Sequence, residues 1–232
     1  MVAESRLDCL KAMGIEVWTP RRTLLNEQSP EPLSQAPLAA DERDLGMGQP
    51  DWPALQEQVK QCSRCSLHET RTQTVFGVGD PEAAWMFVGE APGEQEDLKG
   101  EPFVGRAGQL LDEMIRALDL TREKVYIANV LKCRPPRNRD PSPEESRACE
   151  PFLLRQVAWV KPSIIIAVGR IAAQNLLKTQ TPIGKLRGMV HDYQGTPLVV
   201  TYHPAYLLRA QTEKRRAWED LKLARRTVDS LR

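Results

Sequence analysis

Four cysteines pose the first chemical question. Cys62 and Cys65 form a Cys-x-x-Cys turn, and Cys133 and Cys149 follow later in the chain. Two thiolates at that spacing reach one metal centre from a single turn, and two more can complete its coordination. Four thiolates suit zinc or an iron–sulfur cluster. The second tight Cys-x-x-Cys of a zinc ribbon is missing, and the gap between Cys65 and Cys133 is long for a small zinc module. The spacing therefore favours a [4Fe–4S] cluster with a structural role. Cys9 stands apart from this set and reads as a free thiol.

A second set of polar residues falls where apolar runs end. Ala84–Val88 leads into Gly89-Glu90-Ala91-Pro92-Gly93, and Val125–Val130 contains Asn129 and is followed by Lys132. Pro197–Tyr202 leads into His203-Pro204-Ala205-Tyr206-Leu207-Leu208-Arg209. The first of these loops continues through Glu96 and Asp97 to Phe103 and Gly108. Its glycines and prolines let backbone pass close to a ligand, while its acids argue against phosphate. Its glycine spacing matches neither the dinucleotide fingerprint nor the P-loop. An aromatic face, an amide and an imidazole at one sheet edge suit a flat heterocycle with amide-type edges, held by stacking and hydrogen bonds.

The elements that must carry these groups follow from the pattern of apolar runs. Strands are predicted at Ala84–Val88, Val125–Val130, Ser163–Val168 and Pro197–Tyr202. The third is almost wholly apolar, as in a buried parallel strand. Helices are predicted from Trp52 to Val59, Ala107 to Leu118, Ser142 to Val160, Gly169 to Leu177 and Glu213 to Leu231. Ser142-Pro143-Glu144-Glu145 is a helix start: a capping serine, proline at the first helical position, acids in the first turn. Alternating strands and helices give an α/β fold, a three-layer α/β/α sandwich around a mostly parallel four-stranded sheet. Such sheets bind ligands at the carboxyl ends of their strands.

The chain of 232 residues has 32 basic and 31 acidic side chains and a net charge of +1. That balance does not announce a nucleic-acid partner, although it permits a local basic patch. No apolar run has the length of a membrane span and the first residues lack a signal-peptide core, so a cytoplasmic location is expected. Residues 1–22 read as a short amphipathic helix, with Leu7, Leu10, Met13 and Val17 at helical spacing. Residues 23–50 are rich in proline and polar side chains and read as a disordered linker. The folded domain is expected over 51–232.

Gly89-Glu90-Ala91-Pro92-Gly93, Glu96-Asp97, Gly100, Pro102-Phe103-Val104-Gly105, Asn129–Pro136 and His203-Pro204-Ala205-Tyr206-Leu207 together resemble the family 4 uracil-DNA glycosylases. These are the iron–sulfur members of the uracil-DNA glycosylase superfamily. The resemblance runs from about residue 52 to the C-terminus. It implies a base-excision repair enzyme that hydrolyses the N-glycosidic bond of uracil in single- or double-stranded DNA and leaves an abasic site. By the same resemblance Phe103 stacks on the flipped uracil and Asn129 reads its O4/N3 edge. Backbone at Gly89, Glu90 and Ala91 closes the pocket, and His203 steadies the departing uracil anion. Cys62, Cys65, Cys133 and Cys149 hold the [4Fe–4S] cluster. Leu207 stands where relatives insert an apolar wedge into the base stack.

Two departures from the superfamily pattern matter. Ala91 occupies the place of the aspartate that orients the attacking water, which leaves Glu90 as the nearest acid. Gly93 occupies the place of the tyrosine that excludes thymine, which leaves Glu96 as the candidate for that task. A close relative attaches covalently to DNA through a histidine after the second strand; the stretch Lys132–Pro141 has none, so turnover is expected. Arg134, Arg137 and Arg209 flank the pocket and read as phosphate contacts with salt-sensitive affinity. Leu10-Lys11-Ala12-Met13-Gly14-Ile15-Glu16-Val17-Trp18 with Arg21-Arg22 resembles the N-terminal peptide of the psi subunit of the bacterial clamp loader, which implies that loader as a partner. A monomer is expected. Two readings of other classes are a non-catalytic DNA-binding or replication-associated protein of the same fold, and a zinc-stabilised nucleotide-binding module.

Overall fold

A computed structural model describes residues 51–231. The predicted amphipathic helix at 1–22 and linker at 23–50 lie outside the described residues.

The four predicted strands form the centre of the sheet. They are β2 (Trp85–Gly89), β3 (Tyr126–Asn129), β4 (Ile164–Val168) and β6 (Thr196–Thr201), and all four run parallel. The sheet has six strands rather than four, in the order β1-β3-β2-β4-β6-β5. The two additions are antiparallel edges, β1 (Val78–Gly79) and β5 (Val190–Tyr193). Neither had an apolar signature. The first is two residues long, and the second, Val-His-Asp-Tyr, is largely solvent-facing. Short, polar edges of this kind also resist edge-to-edge association.

The central strands alternate their side chains between two cores. Met86, Val88, Ala128, Ile165 and Val200 face one side, against α4 (Pro143–Val160) and α5 (Arg170–Leu176). Phe87, Ile127, Ile164, Ile166 and Val199 face the other, against α3 (Arg106–Arg116) and α8 (Lys214–Asp229). That is the three-layer sandwich, both sheet faces being covered as parallel strands require. The remaining helices are α1 (Trp52–Lys60), α2 (Glu94–Lys99), α6 (Ile183–Leu186) and α7 (Pro204–Arg209). Among the described residues no helix is long and apolar enough to cross a membrane.

Helix α4 starts as predicted. Glu145 N donates to Ser142 Oγ at 3.1 Å and Ser142 N donates to the Glu145 carboxylate at 2.8 Å. It stops at Lys161, which takes a left-handed conformation before Pro162. Cys149 and Gln156 lie seven residues apart on α4, on its buried face. The stretch from Gly89 to Gly108 is not loop throughout: α2 forms inside it, closed by Gly100 at φ +76°.

Candidate active site and cysteine centre

The parallel strands bring their ends to one edge. Gly89 at the end of β2 lies in register with Asn129 at the end of β3. Asn129 is 2% exposed and its Oδ1 is buried without a hydrogen-bond partner. A buried carbonyl oxygen left unpaired costs stability, so this atom is an acceptor held ready for something. Gly89 is fixed as glycine by its neighbours: a Cβ there would lie 2.4 Å from Asn129 Oδ1 and 2.6 Å from Phe103 Cζ.

Phe103 reaches this point through a left-handed backbone (φ 53°), an uncommon conformation for an aromatic residue. Gly108 makes it possible. A Cβ on Gly108 would stand 1.8 Å from the Phe103 carbonyl oxygen, so the first turn of α3 can press against the Phe103 backbone.

His203 leaves β6 and caps α7. Ala205 N–H donates to His203 Nδ1 at 3.1 Å. Nδ1 is thus the acceptor, and the neutral ring carries its proton on Nε2. Burial lowers its pKa to about 4, with Glu96 opposing and Arg209 reinforcing the shift. At neutral pH the site holds a neutral imidazole with an N–H to donate. Its ring lies 5.6 Å from that of Phe103, inclined by 29°. Gly169 backs it, since a Cβ there would come within 2.9 Å of His203 Cβ, and its φ of +98° suits only glycine.

The two glutamates differ. Burial pushes the Glu90 carboxyl up to about 7, Asp140 adds to the rise and Arg170 opposes it. Arg170 and Asp140 pair at 2.7 Å. Glu96 accepts from Gly93 N at 3.1 Å, Val104 N at 3.0 Å and Gly105 N at 3.2 Å. It fastens the two ends of the pocket loop to each other.

The four cysteines line one cavity, with Val59, Arg71, Lys132 and Phe152 among its walls. Arg71 Nη1 donates to Cys133 Sγ at 3.1 Å and Lys132 N donates to Cys149 Sγ at 3.2 Å. Burial raises the Cys133 thiol and pushes Cys149 up to about 12. These groups become thiolates only when a cation compensates them. Among the described residues no three His, Cys, Asp or Glu side chains form a set that could hold one metal ion. Four sulfur donors around one cavity are a donor set that either an iron–sulfur cluster or zinc takes.

Comparison with known proteins decides the family. The model of the uracil DNA glycosylase superfamily matches residues 76–222. The chain belongs to this superfamily. It is 48% identical to the type-4 uracil-DNA glycosylase of Archaeoglobus fulgidus, over 65% of this chain and 80% of the relative. It is 46% identical to the type-4 enzyme of Thermotoga maritima, over 74% and 91%. It is 35% identical to the type-5 enzyme of Thermus thermophilus over 44% of this chain and 53% of the relative. The likeness places the chain in the type-4 group.

Within this glycosylase fold Gly89, Phe103, Asn129 and His203 converge, with Glu90 beside them. Several other residues sit elsewhere than their sequence position implied. Leu207 is 1% exposed and packs in the core with Phe87, Ile166 and Leu221. It cannot protrude as a wedge: α7 turns it inward with Pro204, three residues earlier. Glu96 is committed to three backbone donors, which leaves it a loop fastener rather than a thymine filter. Arg134 is half-buried, bonded to Asn138 at 2.8 Å and paired with Glu94 at 3.3 Å. Arg137 and Arg209 are exposed and make no ion pair among the described residues. Lys132 does not face the pocket. It is 1% exposed, and its Nζ donates to Asn129 O at 2.7 Å and Gln156 Oε1 at 2.6 Å. Gln156 in turn donates to Phe76 O and to Tyr126 Oη.

Sequence reasoning missed Gly108, Gly169 and Gln156. Gly108 had a usable signal, being placed just after the loop that carries Phe103, and Gly169 had one in standing at the end of a wholly apolar strand run. Gln156 had none, since only folding brings it to Lys132.

Proposed function

We propose that this glycosylase cleaves the N-glycosidic bond of deoxyuridine in DNA, releasing uracil and leaving an abasic site. The unpaired, buried Asn129 Oδ1 carries this reading. Uracil offers a donor at N3 and an acceptor at O4, and a side-chain amide matches both, Oδ1 taking N3–H and Nδ2 giving to O4. Cytosine reverses the pattern and would leave Asn129 Oδ1 facing a lone pair, a mismatch that excludes it strongly. The names of the type-4 relatives point to the same substrate.

The base leaves the helix and enters the pocket, with Phe103 against its face. The bond from C1′ to N1 breaks with its electron pair staying on the base. Negative charge grows on O2, where the Nε2–H of neutral His203 donates a hydrogen bond. A neutral donor needs no proton transfer to do this, and its worth is greatest in a dry site. Water then adds to the cationic sugar carbon. Glu90, ionising near neutrality, is the group we assign to hold that water and accept its proton, since Ala91 cannot. Arg137 and Arg209 are the exposed cations we assign to backbone phosphates.

The cysteines would hold a [4Fe–4S] cluster, whose contribution is structural: it joins α1, the end of β3 and α4. Visible thiolate-to-iron absorbance, absent in a zinc form, tests that assignment. We infer turnover rather than covalent attachment, a monomer, and recruitment by clamp-loader subunits through residues 10–22. The last is tested by a pulldown with residues 1–22 deleted, and binding that survives the deletion refutes it. The deciding experiment for the activity is alkaline cleavage of a uracil oligonucleotide after incubation. Strand breaks at uracil are expected; an intact strand, or a stable protein–DNA band on a denaturing gel, overturns the reading.

A further inference from the structure

Helix α7 has one buried face and one exposed face. Pro204 and Leu207 face the core, while Tyr206 (39% exposed) and Arg209 face out, three residues apart on one side. Tyr206 is tied to the site, its N–H donating to the His203 carbonyl at 2.9 Å. It is also backed from below. Its ring lies 5.1 Å from Tyr202, and the Arg187 guanidinium covers Tyr202 at 4.4 Å from the ring centre. Arg187 is held in turn by Asp220, which is 1% exposed, at 2.7 Å, and by the carbonyl of Arg216. A buried ion pair thus backs Tyr202, against whose ring that of Tyr206 leans at 44°, and Tyr206 ends at the surface on the helix that His203 caps.

A side chain that holds a base stack open must be apolar, exposed and braced against being pushed back. Tyr206 offers an apolar ring face despite its hydroxyl, is exposed and is braced by Tyr202, whereas Leu207 is apolar but fully buried. We propose that Tyr206 is the residue that stacks into the DNA at the place the departing uracil leaves. This rests on the glycosylase reading above and names which side chain stabilises the flipped state. Duplex DNA needs it most, because only there must paired neighbours be kept from reclosing.

The test compares wild-type protein, Tyr206→Ala and Tyr206→Phe by single-turnover excision from a U·G duplex and from the same strand alone. Tyr206→Ala is expected to lose about tenfold to hundredfold on the duplex, the scale of one base–aromatic stack, and distinctly less on the single strand. Tyr206→Phe keeps the face and should restore the duplex rate. The second readout uses 2-aminopurine beside 2′-fluoro-deoxyuridine, which binds without being cleaved. Wild type should change its fluorescence on binding and Tyr206→Ala should not. An unchanged duplex-to-single-strand ratio in Tyr206→Ala, or an unchanged fluorescence response, overturns the proposal. If wild type excises uracil from neither substrate, the glycosylase reading is what fails, and the fluorescence measurement still decides whether Tyr206 inserts.

Discussion

Asn129 and Lys132 are three residues apart and almost equally buried, yet their polar atoms are treated in opposite ways. Lys132 Nζ has two acceptors at short range, and its partner Gln156 is itself bonded on both sides. Asn129 Oδ1 has no partner. The first region is finished by the protein, as a buried polar network must be if it is to stabilise a fold. The second is left for something else to finish. The contrast sets a finished polar network beside an open acceptor within one short stretch of chain, and on the proposed function the open one belongs to the reading pocket.

The contrast breaks most sharply if mutations on the two sides have interchangeable effects. His203→Ala should lower the single-turnover rate about 100- to 1,000-fold, the cost of one charge-stabilising donor, while leaving the visible absorbance and thermal stability near wild type. Cys149→Ser should do the reverse in order: absorbance and stability are lost first, and activity follows. Spectra, thermal melts and rates on both variants are the check, and a His203→Ala protein that loses its absorbance would erase the distinction.

Leu207→Ala sharpens the same boundary from the core side. Truncating a fully buried leucine costs about 2–5 kcal/mol, read by chemical denaturation. A smaller effect, with a large loss of duplex activity, would return Leu207 to the DNA face. Gly169→Ala should cost about 1–3 kcal/mol of strain at its positive φ and move His203, so that activity falls by about tenfold or more with folding retained.

The smallest effect is the most specific. Glu90 ionises near pH 7 and His203 is neutral well below that. Activity should therefore climb as pH rises through about 7, and Glu90→Gln should flatten the climb. Stability moves the other way. A carboxyl whose folded pKa lies above its unfolded value holds its proton more tightly when folded. Its contribution is present below the ordinary carboxyl range and is lost as pH rises through about 7. Glu90→Gln should remove that loss, seen by denaturation at pH 5 and pH 8.

Much of this was legible before folding. The Ile164–Val168 run could only be a strand buried on both faces, and it is. The edge strands were not legible, because Val190-His191-Asp192-Tyr193 has no apolar period and Val78–Gly79 is too short to show one. The capped start at Ser142 was readable from local chemistry alone. Leu207 was misplaced because its role was carried over from relatives by resemblance, which does not say which side of α7 the residue takes. Once Pro204 starts α7, helical phase sends position 207 inward and position 206 outward. Lys132 had looked like a pocket residue because it follows Asn129. Its true partner, Gln156, is 24 residues away and appears only when α4 packs on β3.

The five residues from Asn129 to Cys133 have one further consequence. Asn129 closes β3 in register with Gly89, and Cys133, four residues on, lines the cysteine cavity; the residues between them are irregular in backbone but buried. On the proposed function, a molecule whose cysteine centre is incomplete should lose the alignment of the Asn129 amide together with a fastening. Such a copy is expected to fall silent rather than turn indiscriminate.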